Sequence, residues 1–445
     1  MNVRRWMTPG IGVKRWLLVV FLGLLLLAVG VAHFLRQASR DFEPGGPLEG
    51  LVYVITLQFL PFPLRGFIVG VLGLGLVVLG SYRVIRVVTD PLRMPDADQP
   101  LVELIYQKRF LAKGPRIVAL GGGTGLSALL RGLKEHTSNL TAVVTVADDG
   151  GSSGVLREEL GIPPVGDIRR CIAALADAEP LMSELLQYRF PTADGLLAGT
   201  AEGHGLAGHA VGNLLLAAMT AIEGGDFEEG VRRLNRILAV RGQVVPVSAV
   251  PLTLHARIAS GDTVAGQSRI MRTEGIDRVW LTPDDVEASE DALTAIAEAD
   301  LIVLGPGSLY TSVLPSLLIP SVRDAILTAN ATRLYVCNVA TQEGETAGLD
   351  LSAHVAALIA HTSPGLIDLV LANNRFDARI PSDYHAETVR LAWPPVGMRS
   401  APRLVLDDVV DPENAHHHDP VRLASAVMRV YERESSSRRR AVRTA

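Results

Sequence analysis

The chain has 445 residues, of which 48% are hydrophobic, and its formal net charge at pH 7 is −5. This mildly acidic balance gives no support for general nucleic-acid binding, so no nucleic-acid partner is predicted. Its two cysteines, Cys171 and Cys337, agree with a reducing compartment and cannot build a disulfide or zinc framework. The length allows two or three domains.

Two apolar runs near the N-terminus predict a membrane anchor. Residues 16–35 contain about twenty nearly uncharged positions, and residues 66–82 are just long enough to cross a bilayer. A signal peptide is the alternative for the first run, but its apolar core is too long and no small-residue cleavage site follows. We therefore expect a two-helix hairpin in the lipid bilayer.

Basic residues on the outer flanks of the two runs predict the orientation of this hairpin. They outnumber the acids there, whereas acids offset the basic residues of the intervening loop. By the positive-inside rule, both termini and the large domain are expected in the cytoplasm, with a multi-pass location at the cell membrane. The flanking residues are Arg4, Arg5, Lys14, Arg15, Arg83, Arg86 and Arg93.

Composition divides the chain into four predicted segments. Residues 1–89 form the anchor with its two transmembrane helices, and residues 90–114 form an acidic, proline-containing linker. Residues 115–432 form the large domain, which is long enough for one large core. Residues 433–445 are rich in serine and arginine and predict a disordered basic tail.

Within the large domain, apolar strands alternate with helical stretches. This alternation predicts an α/β fold with a doubly wound, mainly parallel sheet. The predicted strands are Ile117–Leu120, Ala142–Val146, Arg278–Leu281, Leu301–Leu304, Arg333–Cys337 and Ile367–Leu371. The predicted helices include Leu126–His136, Asp167–Ala176, Gly212–Ile222, Asp226–Leu238, Val322–Ala329 and Ser352–His361. Residues 243–270 alternate like antiparallel strands and predict a side sheet.

A glycine loop follows the first predicted strand and opens into a helix. Its residues Gly122, Gly123, Thr124 and Gly125 bring backbone N–H groups close to a ligand, and the helix N-terminus favours negative charge. The run Gly123-x-Gly125-x-x-Ala128 matches the dinucleotide fingerprint, and acids follow near the distance that holds a ribose. A phosphate-bearing nucleotide ligand is predicted, with a structural turn as the alternative.

Paired acids leave the second strand as Asp148 and Asp149 and are followed by glycines and serines. Adjacent carboxylates at a strand end can hold a ribose or a divalent cation such as Mg²⁺. Ser152 and Ser153 can donate hydrogen bonds to phosphate oxygens. A plain Asp-Gly turn needs neither the second acid nor the serines, so a ligand site is favoured.

Two further pairs of polar residues precede helices in the same half of the domain. Asp167 and Arg169 begin one helix, where the acid can be a simple N-cap and the arginine either a phosphate clamp or an exposed ion pair. His209 and Asn213 stand four residues apart and can share one helical face. The surrounding glycines favour a ligand over a purely structural histidine.

A second glycine loop follows the strand at 301–304 and offers Gly307, Ser308, Tyr310 and Thr311. Two such loops in one sheet can face each other across a switch-point crevice. After the next strand, the candidates for hydrogen bonds to sugar hydroxyls are Asn338 and Gln342. The run His416–Asp419 looks metal-like, but consecutive histidines do not share a face.

Several of these segments together resemble one family. They are GGGTGLSALLRGLK, VTVADDGGSSGVLREELGIPPVGDIRRC, GHAVGNLLLAAMT, ADLIVLGPGSLYTSVLPSLL and CNVATQEGET. In this order they are similar to the YvcK-type gluconeogenesis factor family, which is related to CofD-type phospholactate transferases. The resemblance runs from about residue 115 to residue 373, more loosely beyond it, and the N-terminal hairpin looks like an addition.

The resemblance implies a Rossmann-like domain that binds UDP-sugars, notably UDP-N-acetylglucosamine. Such proteins regulate carbon partitioning into cell-wall synthesis and cell shape, so enzymes of cell-wall precursor synthesis and a second copy of the chain are expected partners. The resemblance also places Tyr384 where relatives have a tyrosine that packs on the nucleotide.

Three functions remain open at this point. The favoured one is a non-enzymatic UDP-sugar-binding regulator. The alternative is a phospholactyl transferase that uses a nucleotide diphosphate donor and a divalent metal. NAD-dependent redox chemistry rests on the glycine fingerprint alone and lacks an evident acid or base for hydride transfer.

Overall fold

The computed structural model describes residues 13–36, 60–89, 111–176, 180–191, 205–395 and 401–444. The chain divides into two compact units between Lys113 and Gly114. The predicted linker at 90–114 lies outside the described residues as far as residue 110.

The first unit contains two described helices, α1 (Val13–Arg36) and α2 (Phe62–Thr89). They pack closely where Gly23 meets Gly73, because a Cβ atom on Gly23 would lie 2.9 Å from the Gly73 carbonyl oxygen. Counting the described residues alone, no helix is long and apolar enough to cross a membrane. This finding contradicts the predicted transmembrane hairpin and the multi-pass membrane location, since a span needs about twenty apolar residues in one helix.

The second unit is built on a seven-stranded parallel sheet, which confirms the predicted α/β class. Its strands are β1 Ile117–Gly121, β2 Leu140–Val144, β3 Gln243–Pro246, β7 Leu301–Leu304, β8 Thr332–Val336, β9 Leu369–Asn373 and β10 Arg403–Asp407. They lie in the order β10-β9-β8-β7-β1-β2-β3, and short apolar runs such as β1 and β7 are buried on both faces.

The sheet has one topological switch point, between β1 and β7. The chain proceeds outward from β1 to β2 and β3, and it later continues outward on the other side from β7 through β8 and β9 to β10. Residue pairs such as Leu120 and Leu304 set β1 and β7 in parallel register. Loops that leave the carboxyl ends of β1 and β7 therefore begin side by side, where doubly wound sheets form their ligand crevices.

The helices of the second unit that the structure describes cover this sheet and position its loops. They are α3 Gly123–Leu133, α4 Gly151–Leu160, α5 Gly166–Leu175, α6 Pro180–Gln187, α7 Val211–Ile222, α8 Phe227–Ile237, α9 Gln267–Ile270, α10 Glu290–Glu298, α11 Leu314–Leu318, α12 Pro320–Thr328, α13 Leu351–His361 and α14 Pro420–Thr444. Helix α3 packs against both α5 and α14. Gly132 permits the second contact, because a Cβ atom there would lie 2.0 Å from the Pro420 carbonyl oxygen.

The side sheet differs from its prediction at both ends. It consists of β5 (Thr263–Ala265), β4 (Thr253–Ile258) and β6 (Ile276–Thr282), paired antiparallel in that order. Residues 278–281, predicted in the main sheet, belong to β6, where Val279 and Leu281 are buried and Trp280 is exposed. This alternation suits a sheet with one solvated face. Residues 243–246, predicted in the side sheet, form β3 instead and extend the main sheet.

Several elements were not predicted, and three of them change the interpretation of a segment. Helix α4 begins at Gly151, inside a segment interpreted as a loop because of its glycines, and β10 forms in a short run with charged ends. Helix α14 continues to Thr444, so residues 433–444 of the segment predicted as a disordered tail are helical. No proline or glycine interrupts it after Pro420, and Arg438 donates hydrogen bonds to the carbonyl oxygens of Asn330 and Ala331.

Candidate functional site

A cleft of about 730 Å³ opens at the carboxyl ends of the strands, next to the switch point. The loops after β1, β2, β7 and β8 and the start of α5 contribute to its walls. Because parallel strands present their carboxyl ends at one edge, residues far apart in sequence meet there. Its lining includes predicted residues from each of these segments.

The first glycine loop passes from β1 directly into α3. Gly122 is the N-cap, without a side-chain capping hydrogen bond, and Gly123 has a φ of +68°, which favours glycine. A Cβ atom on Gly122 would lie 2.3 Å from Asp167 Oδ2. The loop therefore needs glycine for its shape and for its packing, and the first amides of α3 lie at the cleft.

The second glycine loop follows β7 and enters one turn of π-helix, Leu309–Val313. The side chain of Asn338 holds this loop through two hydrogen bonds to Gly307. Asn338 Nδ2 donates to the Gly307 carbonyl oxygen at 2.9 Å, and Asn338 Oδ1 accepts from the Gly307 amide at 3.2 Å. Gln342 Nε2 donates to Ser308 Oγ at 2.9 Å. Side chains after β8 thus hold the shape of the loop after β7.

Tyr310 and Thr311 lie behind this loop and do not line the cleft. Both backbone amides donate to Glu345 Oε1, at 2.6 and 3.0 Å, and Thr311 Oγ1 donates to Glu345 Oε2 at 2.9 Å. Burial raises the pKa of Glu345 to about 7, against the lowering effect of these three hydrogen bonds. The Tyr310 ring packs edge-on against His361 rather than facing a ligand.

The two paired acids separate after β2. Asp148 lines the cleft, and burial, followed by the charge of Asp167, raises the pKa of its carboxyl group. Asp149 instead holds a neighbouring turn: its Oδ1 accepts from the Ser268 amide at 2.8 Å and from Ser268 Oγ at 2.7 Å. The pair therefore does not fit a shared Mg²⁺ ion. Among the described residues, no group of three or more metal-ligating side chains is found.

Ser152 joins the predicted pair on α7 to the cleft. Its Oγ accepts a hydrogen bond from Asn213 Nδ2 at 2.9 Å and lies 3.0 Å from His209 Nδ1. All three side chains are buried, and only Ser152 and Asn213 line the cleft. His209 therefore orients the hydroxyl of Ser152 from behind.

The start of α5 brings arginines and a carboxylate together. Asp167 Oδ1 accepts from Arg170 Nη1 at 2.7 Å. Arg169 is 6% exposed, and its Nε makes no hydrogen bond to any described residue. Burial, followed by the charges of Arg170 and Arg189, lowers the pKa of Arg169 to about 10.

Most of the predicted ligand residues meet in this cleft. Those that line it are Gly122, Gly123, Thr124, Gly125, Asp148, Ser152, Ser153, Asp167, Arg169, Asn213, Gly307, Ser308, Asn338 and Gln342. Those that lie outside its lining are Asp149, His209, Tyr310, Thr311 and Tyr384. Tyr384 stacks on His416, with ring centroids 4.1 Å apart, and so supports a residue that does line the cleft.

Sequence reasoning missed a second group of lining residues. It consists of Arg131, Arg170, Arg189, Gln267, Ser268, Met271, Arg272, Asp411 and His416–His418. Most stand in helices or turns that carry no motif, and only their fold neighbours bring them to the cleft. Arg170, adjacent to a predicted residue, and the histidine run at 416–418 were visible signals.

The fold and cleft define a class: a doubly wound α/β protein with glycine loops at its switch point. The family of 2-phospho-L-lactate transferase CofD matches residues 117–393. A gluconeogenesis factor from Bacillus subtilis is 46% identical over 282 residues, which are 63% of this chain and 86% of that protein. The chain belongs to the gluconeogenesis factor family and contains a CofD-like domain.

Two further comparisons support this membership. A relative from Deinococcus radiodurans is 38% identical over 443 residues, which cover 97% of this chain and 90% of its own length. The crystal structure of a UPF0052 family member from Bacillus halodurans shares 42% identity with a TM-score of 0.64. It covers 71% of this chain and 99% of its own, so the parallel-sheet fold is that of the family.

Proposed function

We propose that the cleft binds a UDP-sugar such as UDP-N-acetylglucosamine, and that the protein is a regulator of carbon partitioning into cell-wall synthesis and of cell shape. The observation that carries this proposal is the contact between the two glycine loops. A Cβ atom on Gly125 would lie 2.8 Å from the Pro306 carbonyl oxygen, so the loops meet backbone to backbone. Backbone surfaces of this kind admit a diphosphate closely.

The charge of the cleft supports a diphosphate ligand. Arginines outnumber the acids among its lining residues, which include Arg131, Arg169, Arg170, Arg189 and Arg272. Guanidinium groups bind phosphate oxygens in a forked geometry that a lysine does not reproduce. The amides at the start of α3 add partial positive charge on the same side.

Polar side chains beside the second loop suit a sugar. Gln342 Oε1 is buried without a hydrogen-bond partner in the described part of the chain, although its amide group already contacts Ser308. A buried acceptor of this kind is costly until a donor reaches it. A hydroxyl of the ribose can supply that donor, which places the nucleoside near the loop after β8.

One second function is supported by a specific observation, the match to the 2-phospho-L-lactate transferase family. The chain would then transfer a phospholactyl group from a nucleotide diphosphate donor, with a divalent metal. Asp148 and Asp167 are the carboxylates that meet in the cleft, and they replace the predicted pair of Asp148 and Asp149 as the residues to test.

A thermal-shift panel on the full chain tests both functions. The ligands are UDP-N-acetylglucosamine, UDP-glucose, GDP and NAD, each with and without Mg²⁺. Native-state binding raises the melting temperature by mass action, so a shift with the UDP-sugars alone is expected. A shift with NAD alone would restore the redox hypothesis. A Mg²⁺-dependent shift with GDP and none with UDP-sugars would contradict our proposal and favour the transferase.

A further inference from the structure

Arg169 is a buried cation whose hydrogen-bonding capacity is not used by the described residues. Its side chain lines the cleft and is 6% exposed, and its Nε has no hydrogen-bond partner among those residues. A buried, unpaired donor on a charged group carries an uncompensated desolvation cost in a finished fold. Such a group is expected to have a partner in the functional state.

Helix packing fixes where this cation lies. A Cβ atom on Gly212 would approach Arg169 Cγ to 2.8 Å, so the stem of the arginine packs directly on α7. The same turn of α7 carries Asn213, which holds Ser152 at the cleft wall. Arg169 therefore belongs to the end of the cleft that α4, α5 and α7 enclose, rather than to the meeting point of the glycine loops.

Two carboxylates separate this end of the cleft from the first glycine loop. Asp167 Oδ2 lies against Gly122, and a Cβ atom on Gly166 would lie 3.1 Å from Asp148 Oδ2. Hydroxyl groups of a sugar can donate to these carboxylates, whereas a diphosphate is repelled by them. The order along the cleft is then a phosphate region, a hydroxyl region and the Arg169 guanidinium.

The charges around Arg169 leave one positive charge unmatched. The charged groups that act on it most strongly are Arg170, Arg189, Asp167 and Asp148. Together with Arg169 itself they make three guanidinium groups and two carboxylates, a net of +1. Arg170 is already paired with Asp167, and Arg189 donates to the Gly208 carbonyl oxygen. A planar carboxylate matches a single guanidinium in both charge and shape.

We propose that Arg169 forms a second anion subsite, and that the preferred ligand is a nucleotide sugar that carries a carboxylate on its sugar. This inference rests on the proposed UDP-sugar function and names the class of sugar. It assigns the nucleotide diphosphate to the glycine loops and the distal carboxylate to Arg169. Neutral UDP-sugars then bind through the phosphate and hydroxyl regions but lack the contact with Arg169.

Calorimetric titration of the full chain with UDP-glucose and UDP-glucuronate tests the subsite. These ligands differ only in the oxidation of one sugar carbon to a carboxylate. A charge-assisted hydrogen bond predicts that UDP-glucuronate binds at least about tenfold more tightly. In Arg169→Met this ratio is expected to fall to about one. In Arg323→Met, which removes the same charge from α12 outside the cleft lining, the ratio is expected to stay as in the wild type.

The outcomes separate the inference from the proposed function. Equal binding of both ligands by the wild-type protein overturns the subsite and leaves UDP-sugar binding intact. This comparison uses the wild-type protein alone, so it remains a valid test even if Arg169→Met does not fold. An equal loss of both affinities in a folded Arg169→Met protein also overturns it, because Arg169 would then hold the diphosphate. Binding of neither ligand to the wild type overturns the proposed function and the subsite together.

Discussion

The two glycine loops at the switch point are held in different ways. The loop after β1 is shaped by its own backbone, since Gly122 caps α3 without a side-chain hydrogen bond and Gly123 has a positive φ. The loop after β7 is shaped by the side chains of Asn338, Gln342 and Glu345, which all follow β8.

This difference indicates that the two loops have different roles in ligand binding. The first loop leaves the amides of a helix N-terminus available to a ligand, and such amides bind anions without help from side chains. The second loop has its donors satisfied in advance by Asn338 and Glu345, so it offers a fixed wall. We expect substitutions in the first loop to act sterically and substitutions behind the second loop to act through lost hydrogen bonds.

The largest effect is expected from Gly125→Ala, which forces the two loops apart. The new Cβ atom would lie 2.8 Å from the Pro306 carbonyl oxygen and 3.1 Å from Gly307 Cα, and both are backbone atoms that cannot rotate away. Overpacking of this kind costs about 3 kcal/mol. Chemical denaturation should show this loss, and UDP-sugar affinity should fall by about a hundredfold, since the phosphate region is displaced.

Gly205→Ala is the matched control for this substitution. A Cβ atom on Gly205 meets nothing within 4 Å, so its stability and affinity should equal those of the wild type. Wild-type affinity in a stable Gly125→Ala protein would contradict a role for the loop contact in binding.

The next effect is a pH dependence that Glu345→Gln removes. The pKa of Glu345 rises from its ordinary 4.5 to about 7 in the fold, so the folded protein holds a proton that the unfolded chain has released. Stability therefore decreases as pH rises between these values, by about 3 kcal/mol in total for this group. Denaturation at pH 5, 6, 7 and 8 should show the stability of the variant gaining on that of the wild type as pH rises.

The control for this experiment is Glu343→Gln, an exposed position in the same segment. It removes the same charge without touching the hydrogen bonds of Glu345, so it measures how far a change of charge alone alters the pH profile. If Glu345→Gln shows the same profile as this control, the buried carboxyl titrates as it does in the unfolded chain, and the second loop is not held by a perturbed acid.

The sequence was sufficient for the parallel sheet and both glycine loops, because their signals are local. Strands such as Leu301–Leu304 are short apolar runs that end at a glycine, and the structure has that strand with the same bounds. The misplacement of residues 278–281 shows the limit of this reasoning. The hydrophobic pattern of a strand predicts whether one or both of its faces are buried. Which sheet the strand joins depends on its pairing partners, which the pattern does not specify.

The sequence predicted site residues correctly where polar side chains directly follow a predicted strand. Asp148 and Asp149 carry the same local signal, yet only Asp148 lines the cleft, because Ser268 in the short helix α9 binds the Asp149 carboxylate. The unpredicted arginines, such as Arg189 and Arg272, lie in segments without motifs. Tertiary packing brings these arginines to the cleft, and motif spacing in the sequence does not predict it.

The smallest of these effects is expected from Asn338→Ala, which releases the second loop without changing its backbone sterics. The Gly307 amide and carbonyl lose their partners, at a cost of about 2 kcal/mol for a half-buried pair. Asn374→Ala is the control, since this exposed asparagine follows β9 much as Asn338 follows β8. UDP-sugar affinity should fall several-fold in Asn338→Ala and stay constant in Asn374→Ala, both by calorimetry. If the Asn338 variant keeps its stability but loses all binding, its amide contacts the ligand directly, and the second loop is a binding surface rather than a fixed wall.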